Sequence, residues 1–291
     1  MTHIMSYENF KNNLNKRLFE GSRKGLLGSI ADNPDRFIGL FRPTKPKTKI
    51  IQNLTQSHEI KFGDALESLF TEYFALLGYT NLPKRIVDTQ SGDELNIDQL
   101  FYFDHDTIYM IEQKVRDDHD STKKRGQFAN FENKYFEVAR KYHKTVVPIM
   151  WFIDDSLVKN KSYYLAEMKK MGDDYNCKPY LCYGEELFTK GIIKDLGKDI
   201  WDETLCYLKI WKDTLPDMPE INFDREPKDT FDEIISLKPI VFRKLFGNEE
   251  IRTQILPILF PTGEVFKLLK EYFNAQTLPI YKTLANAIDV I

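Results

Sequence analysis

The chain has little or none of several features that mark particular classes of protein. Its 3 cysteines, Cys177, Cys182 and Cys206, form no CxxC spacing, so neither a disulfide framework nor a cysteine-based zinc site is expected. No apolar run approaches the roughly 20 residues that a membrane helix needs, and the first residues, MTHIMSYENFKNNLNKRLFEG, are polar rather than secretory. We therefore expect no membrane partner and a cytoplasmic location.

Common catalytic signatures are also missing. The GxSxG elbow, the P-loop and GxGxxG are absent, which excludes the simplest hydrolase, NTPase and dinucleotide-binding classes. His105 and His143 lack partners at the spacing of a histidine-based nuclease. With 41 basic and 44 acidic residues the net charge is −3, so any contact with DNA must come from local clusters.

The chain of 291 residues, 42% of them hydrophobic, is long enough to bury a large core, and its periodicity predicts an α/β fold. Helices are predicted at 5–42 with a break at Asn33-Pro34, at 63–77 and at 126–142, and strands at 145–153 and 179–183. Further helices are predicted at 201–211 and near 229–246, 248–259 and 263–275. We expect a helical N-terminal extension (1–60), a core with a mixed sheet (61–200) and a helical C-terminal subdomain (201–291).

Two predicted strands carry the most informative residues. The segments 95–103 (LNIDQLFYF) and 107–116 (TIYMIEQKVR) are separated by Asp-His-Asp at 104–106, which predicts two strands and a turn. Because side chains alternate along a strand, Glu112 and Lys114 lie on one face, and Asp98 can lie beside them from the neighbouring strand. Two acids and an amine are thus expected to converge.

This combination suits phosphodiester hydrolysis. Two carboxylates bind Mg²⁺ through hard oxygen ligands, which matches Asp98 and Glu112, and the main-chain carbonyl of Gln113 can supply another oxygen. Lys114 can orient a water molecule and stabilise charge on the phosphate. Acid-x-lysine triplets are common, and most form solvated pairs; however, charged residues at the end of an apolar strand are costly without partners or a metal, which favours a functional site.

Several neighbouring features have simpler interpretations. The cluster at 117–120 is predicted to be a loop rather than a metal site, because contiguous residues of a turn diverge. Core packing is favoured over base stacking for four aromatic residues: Tyr102, Tyr109, Phe128 and Phe131. A solvated surface is the favoured interpretation of the basic stretch 42–49, whereas phosphate contact is at least as plausible for Lys123-Lys124-Arg125 beside the predicted site.

At these residues the chain resembles the PD-(D/E)XK nuclease superfamily, and most closely a type II restriction endonuclease. Asp98 and Glu112-Gln113-Lys114 match the family motif, with Ile97 in place of the proline before the acid. Glu67 in GDALESLF matches a glutamate that many members carry on the preceding helix, and Glu72 is the weaker candidate for that role. The run 112–127 (EQKVRDDHDSTKKRGQ) resembles active-site segments of restriction enzymes, and the resemblance covers roughly 60–190.

The resemblance implies a restriction-endonuclease-like core that cleaves both strands of duplex DNA with Mg²⁺ and leaves 5′-phosphate ends. It also implies a homodimer acting on a two-fold site, and a cognate DNA methyltransferase as functional partner. Catalytic roles would fall to Asp98, Glu112, Lys114 and Glu67, and metal ligation to Asp98, Glu112 and Gln113. Side chains after the catalytic strand would contact DNA; the candidates are Asp120, Lys123, Lys124, Arg125, Gln127 and Asn130.

Two other functions stay open at this point. One is a different nuclease of the same superfamily, such as a junction resolvase or a repair nuclease. The other is a non-catalytic DNA-binding or assembly module of the same fold, against which the intact set of Asp98, Glu112 and Lys114 argues.

Overall fold

A computed structural model describes residues 3–104, 106–116, 121–289 and 291, without the side chain of Ser121. The chain divides into two compact units: one comprises the N-terminal residues up to Leu14 and residues 63–214, and the other comprises residues 15–62 and 215–291. Residues 15–62 therefore share a unit with the C-terminal helices. Within the described ranges, no helix has the length and apolar character needed to cross a membrane.

The first unit contains a mixed sheet of five strands. Its order is β1-β4-β5-β6-β7, where β1 is Thr80–Asn81, β4 is Gln99–Tyr102, β5 is Thr107–Lys114, β6 is Thr145–Phe152 and β7 is Tyr180–Tyr183. β4 is antiparallel to β1 and β5, whereas β5, β6 and β7 are parallel. A separate two-stranded sheet pairs β2 (Arg85–Val87) with β3 (Glu94–Asn96). The predicted α/β class with a central mixed sheet flanked by helices is confirmed.

Helices account for most of the remaining described chain. They are α1 Tyr7–Phe19, α2 Ser22–Asp32, α3 Asp35–Ile38, α4 Pro46–Leu76, α5 Ser121–Tyr142, α6 Lys161–Tyr175, α7 Glu186–Thr189, α8 Asp199–Asp213, α9 Pro227–Ile234, α10 Pro239–Gly247, α11 Glu249–Gln254, α12 Leu256–Leu259, α13 Glu264–Ala275 and α14 Pro279–Ile288, with a 3₁₀ turn at Phe223–Arg225.

The two faces of the central sheet are covered by different helices. Ile108 and Met110 of β5 pack in one buried cluster with Phe128 and Phe131 of α5. On the opposite face α4 supplies aromatic rings, with Phe70 against Trp151 and Phe74 against Phe101, at centroid distances of 4.8 and 4.3 Å. Because both faces are covered, β5 is buried along nearly its whole length.

The predicted strand 95–103 is wrong as a single element, because it breaks at Ile97-Asp98 into β3 and β4. The main-chain N–H of Ile97 donates to the Lys84 carbonyl (2.9 Å), which keeps this end of β3 with β2. At Asp98 the side chain, rather than the main chain, accepts the N–H of Gln113. The chain thus moves from one sheet to the other at the acid itself.

Several predicted helix boundaries also need correction. The helix predicted at 63–77 is the end of α4, which begins at Pro46, a residue suited to a first helical turn. Gly63 is interior to it, and a Cβ there would lie 3.3 Å from Val115 Cγ2, so α4 approaches the end of β5 closely at this residue. The stretches 229–246 and 248–259 each form two helices instead of one. In each stretch a proline lies at or near the first residue of the second helix. The sequence did not predict α6 or α14.

Most core aromatic residues meet expectation. Phe128, Phe131 and Tyr109 are buried, and Tyr102 packs partly buried against the cluster under α5. The predicted turn 104–106 contains an Asx turn, in which Asp104 Oδ1 accepts the N–H of Asp106 (3.3 Å) and also that of Thr107 (3.1 Å). His105 lies outside the described residues. The segment 117–120 lies outside them too.

The second unit has its own apolar core. Side chains of α2 and the first half of α4 pack there with α9, α10 and α13. Asp224 holds the start of α13 in place in this unit. Its carboxylate accepts the N–H groups of Thr262, Gly263 and Val265 at 2.8, 2.8 and 2.9 Å.

Candidate active site

The site lies where β4 begins and β5 ends. The strand register pairs Gln99 with Ile111, so Asp98, one residue before β4, lies opposite Glu112. Asp98 Oδ2 accepts the N–H of Gln113 at 2.7 Å. This bond holds the carboxylate against β5 at the level of Glu112.

Glu112 has a lysine on each carboxylate oxygen. Lys114 Nζ lies 2.7 Å from Oε1, and Lys134 Nζ, from the middle of α5, lies 2.7 Å from Oε2. The contact with Lys114 places both side chains on one face of β5, as the alternation predicts. Lys134 lies on the helix that covers this face, and it is not among the site residues predicted from the sequence.

A sequence signal for Lys134 did exist. It sits between Phe131 and Val138 at spacings of three and four residues, within the buried stripe of α5. A lysine in an apolar helical stripe requires a buried partner of opposite charge. The sequence could not show that this partner is Glu112.

Burial and mutual charge set the electrostatics of this group. Burial, and then the neighbouring charge of Glu112, raise the pKa of Asp98 to about 7. Burial alone would also raise the pKa of Glu112, but the ammonium groups of Lys114 and Lys134 outweigh burial and hold that pKa below its usual value. The pKa of Lys114 is raised, because attraction to Glu112 and Asp98 outweighs its own burial.

Glu67, the remaining predicted catalytic residue, does not lie beside Glu112. Its carboxylate accepts from Lys84 Nζ (2.6 Å), and its carbonyl accepts from Gln99 Nε2 (2.7 Å). Gln99 also donates to Gln113 Oε1 at 3.4 Å, so Glu67 belongs to the α4 side of the sheet, opposite to Glu112.

Within the described ranges, no three Asp, Glu, His or Cys side chains are grouped to hold a metal. The weaker candidate, Glu72, accepts a hydrogen bond from Asn13 (3.0 Å).

Asp98, Glu112 and the main chain of Gln113 nevertheless offer the donor types that Mg²⁺ prefers. The Lys114 carbonyl accepts the N–H of Ile153 in the chain just after β6 (2.9 Å), so the main chain of Gln113, one residue earlier, faces the Asp98 side. Mg²⁺ is usually held by one or two carboxylates together with waters and substrate phosphates. Two acids that repel each other beside a carbonyl fit such an ion.

The predicted DNA-contacting residues lie at the start of α5, apart from Asp120, which is outside the described residues. Lys123, Arg125 and Asn130 are exposed. Lys124 contacts Asn160 Oδ1 at 3.3 Å and stands over the Tyr163 ring. Gln127 Oε1 accepts the Tyr164 hydroxyl at 3.0 Å, so members of this set differ in how firmly the fold holds them.

The central mixed sheet of five strands with helices on both faces is consistent with a restriction-endonuclease-like fold. Comparison with family models supports this class: the type II restriction endonuclease model HinfI matches residues 6–88 and 79–212. The chain belongs to the HinfI family of type II restriction endonucleases. No curated protein and no solved structure shows significant similarity to it.

Proposed function

We propose that the protein is an Mg²⁺-dependent type II restriction endonuclease that hydrolyses both strands of duplex DNA at a short sequence and leaves 5′-phosphate and 3′-hydroxyl ends. The observation that carries the proposal is the position of Asp98 opposite Glu112 at the junction of β4 and β5, with Asp98 bonded to the Gln113 N–H and Lys114 bonded to Glu112, in a chain of this family. The motif corresponds to that of the PD-(D/E)XK superfamily.

Asp98, Glu112 and the carbonyl of Gln113 would hold the metal. When bound, Mg²⁺ would acidify a water molecule and neutralise charge on the scissile phosphate. Asp98 is fixed for this purpose by the Gln113 N–H, and Glu112 by its lysines. Lys114 would orient the attacking water and stabilise the extra negative charge on the phosphate as a point charge.

Glu67 is left out of this proposed metal site, because its carboxylate pairs with Lys84 on the other side of the sheet. Lys123, Arg125 and Asn130 are proposed as DNA contacts, given their exposure and their position on the helix that carries Lys134. Lys124, Gln127 and Asp120 are proposed with them. The remaining proposals are a homodimer, a cytoplasmic location and a companion methyltransferase that protects the host DNA.

Incubation of plasmid DNA with the protein and Mg²⁺ tests the proposal. Discrete, reproducible fragments with 5′-phosphate ends are expected, and the Asp98→Asn variant should yield none. Smeared products or a preference for branched substrates would indicate another nuclease of the superfamily, and binding without cleavage would indicate a non-catalytic module. Light scattering of the DNA complex tests the dimer, which a monomer on DNA would contradict.

A further inference from the structure

The two lysines on Glu112 are not equivalent. The side chain of Lys134 is 7% exposed and that of Lys114 is 17% exposed. Lys134 belongs to the middle of a helix of 22 residues, whereas Lys114 is the last residue of β5. Lys134 is therefore the more enclosed and the more firmly anchored of the two.

The free-energy cost of moving the ammonium group away from Glu112 differs between the two lysines. Lys134 is flanked along α5 by Phe131 and Val138, both fully buried. Turning it away from Oε2 would leave an unpaired charge in this apolar surrounding, which is strongly unfavourable. Lys114 lies at the end of the central strand β5 and is more exposed, so a phosphate or water can replace the carboxylate as its partner.

We propose that Lys134 is a positioning residue of the cleavage site, which stays on Glu112 Oε2 and thereby leaves Oε1 as the metal-facing oxygen and frees Lys114 for the phosphate. This inference rests on the proposed function. Without Lys134, the carboxylate would keep Lys114 as its one ammonium partner among the residues that the structure describes. Lys134 thus acts through Glu112 and Lys114 and not on the substrate.

Lys134→Met tests the proposal, because methionine keeps the length and suits the apolar stripe of α5. The matched control is Lys141→Met, which removes an exposed lysine two turns further along the same helix. Single-turnover cleavage in saturating Mg²⁺ should fall by about 100-fold or more in Lys134→Met and stay within about twofold in Lys141→Met. Wild-type protein that cleaves no DNA would refute the proposed function and not this step.

A second readout separates positioning from general damage to the site. The Ca²⁺ concentration that gives half-maximal binding of a fluorescent duplex carrying the cleaved sequence should stay the same or fall in Lys134→Met, because a positive charge beside a ligand is removed. A cleavage rate within about threefold of wild type would overturn the proposal. So would a rise in the half-maximal Ca²⁺ concentration that parallels the fall in rate.

Melting temperatures keep the proposal testable if Lys134→Met is poorly folded, or if the wild type does not cleave. Lys134→Met, Glu112→Gln and the double variant form a cycle without metal. If the lysine acts through Glu112, the two losses of stability should be well short of additive, because the contact between Lys134 and Glu112 is lost only once in the double variant. Additive losses would show that Lys134 serves packing alone and would overturn the proposal.

Discussion

The carboxylate of Asp98 takes the place of a main-chain acceptor for Gln113: its Oδ2 receives the Gln113 N–H at 2.7 Å, at the point where the chain passes from β3 to β4. This bond fixes an acid opposite Glu112 at the residue where the chain leaves one sheet for the other. The break in the predicted strand and the position of the site therefore coincide at Asp98.

Removing the proposed site residues should abolish cleavage without abolishing DNA binding. Asp98→Ala and Lys114→Ala are each expected to lower the single-turnover rate by at least about 1,000-fold, because metal ligation or phosphate stabilisation is removed. Binding of duplex DNA in Ca²⁺ should change only a few-fold. Either variant that cleaves normally would remove its residue from the site.

Glu67→Gln should behave differently from Glu112→Gln. Because Glu67 pairs with Lys84 on the α4 side of the sheet, its replacement should cost roughly 1 kcal/mol of stability and leave the cleavage rate within about tenfold of wild type. Glu112→Gln should lose at least about 1,000-fold. Parallel cleavage and melting assays decide the point, and an inactive, fully stable Glu67→Gln would restore the catalytic role that the sequence predicts.

The raised pKa of Asp98 predicts how stability without metal depends on pH. Its folded pKa of about 7 exceeds the ordinary value of 3.8, so the folded state binds the proton more tightly than the unfolded state. The associated stability is complete below about pH 4 and is lost as the pH rises through about 7. Asp98→Asn, which keeps an acceptor for Gln113, should therefore be more stable than wild type at about pH 8, by roughly 1 to 3 kcal/mol.

Denaturant unfolding of both proteins in EDTA measures this difference. The gain from Asp98→Asn should shrink steadily toward about pH 4. A gain that is independent of pH would mean that Asp98 does not carry the shifted proton.

Charge reversal at the start of α5 tests the proposed DNA contacts. Lys123→Glu should weaken DNA binding and lower the slope of log affinity against log salt by about 0.9 for each phosphate that the protein no longer neutralises. Lys169→Glu, an exposed position on α6, is the control. A salt slope unchanged from wild type would exclude a phosphate contact at Lys123.

Asp224 should be essential for the second unit. Its carboxylate accepts three main-chain N–H groups at the start of α13, and Asp224→Ala would leave them without that acceptor, at a cost of roughly 2 to 4 kcal/mol. Asp229→Ala, on the exposed side of α9, should change stability by less than about 0.5 kcal/mol. Thermal melting compares the two variants, and equal losses would contradict the anchoring role.

Local periodicity was enough to predict the strands around Glu112 and the class of fold. Alternation placed Glu112 and Lys114 on one face of β5, and the contact between them bears this out. It failed at residues 95–103, where the segment predicted as one strand contains the passage between two sheets. Nothing in the local pattern indicates that the Asp98 side chain replaces a main-chain acceptor.

The sequence by itself determined which residues of β5 share a face, because strand periodicity is a property of neighbouring residues. Only the tertiary structure decided that Lys134 reaches Glu112 from α5 and that Glu67 pairs with Lys84 away from it. Those contacts join residues far apart in the chain, and their partners are fixed by how α4 and α5 pack on opposite faces of the sheet.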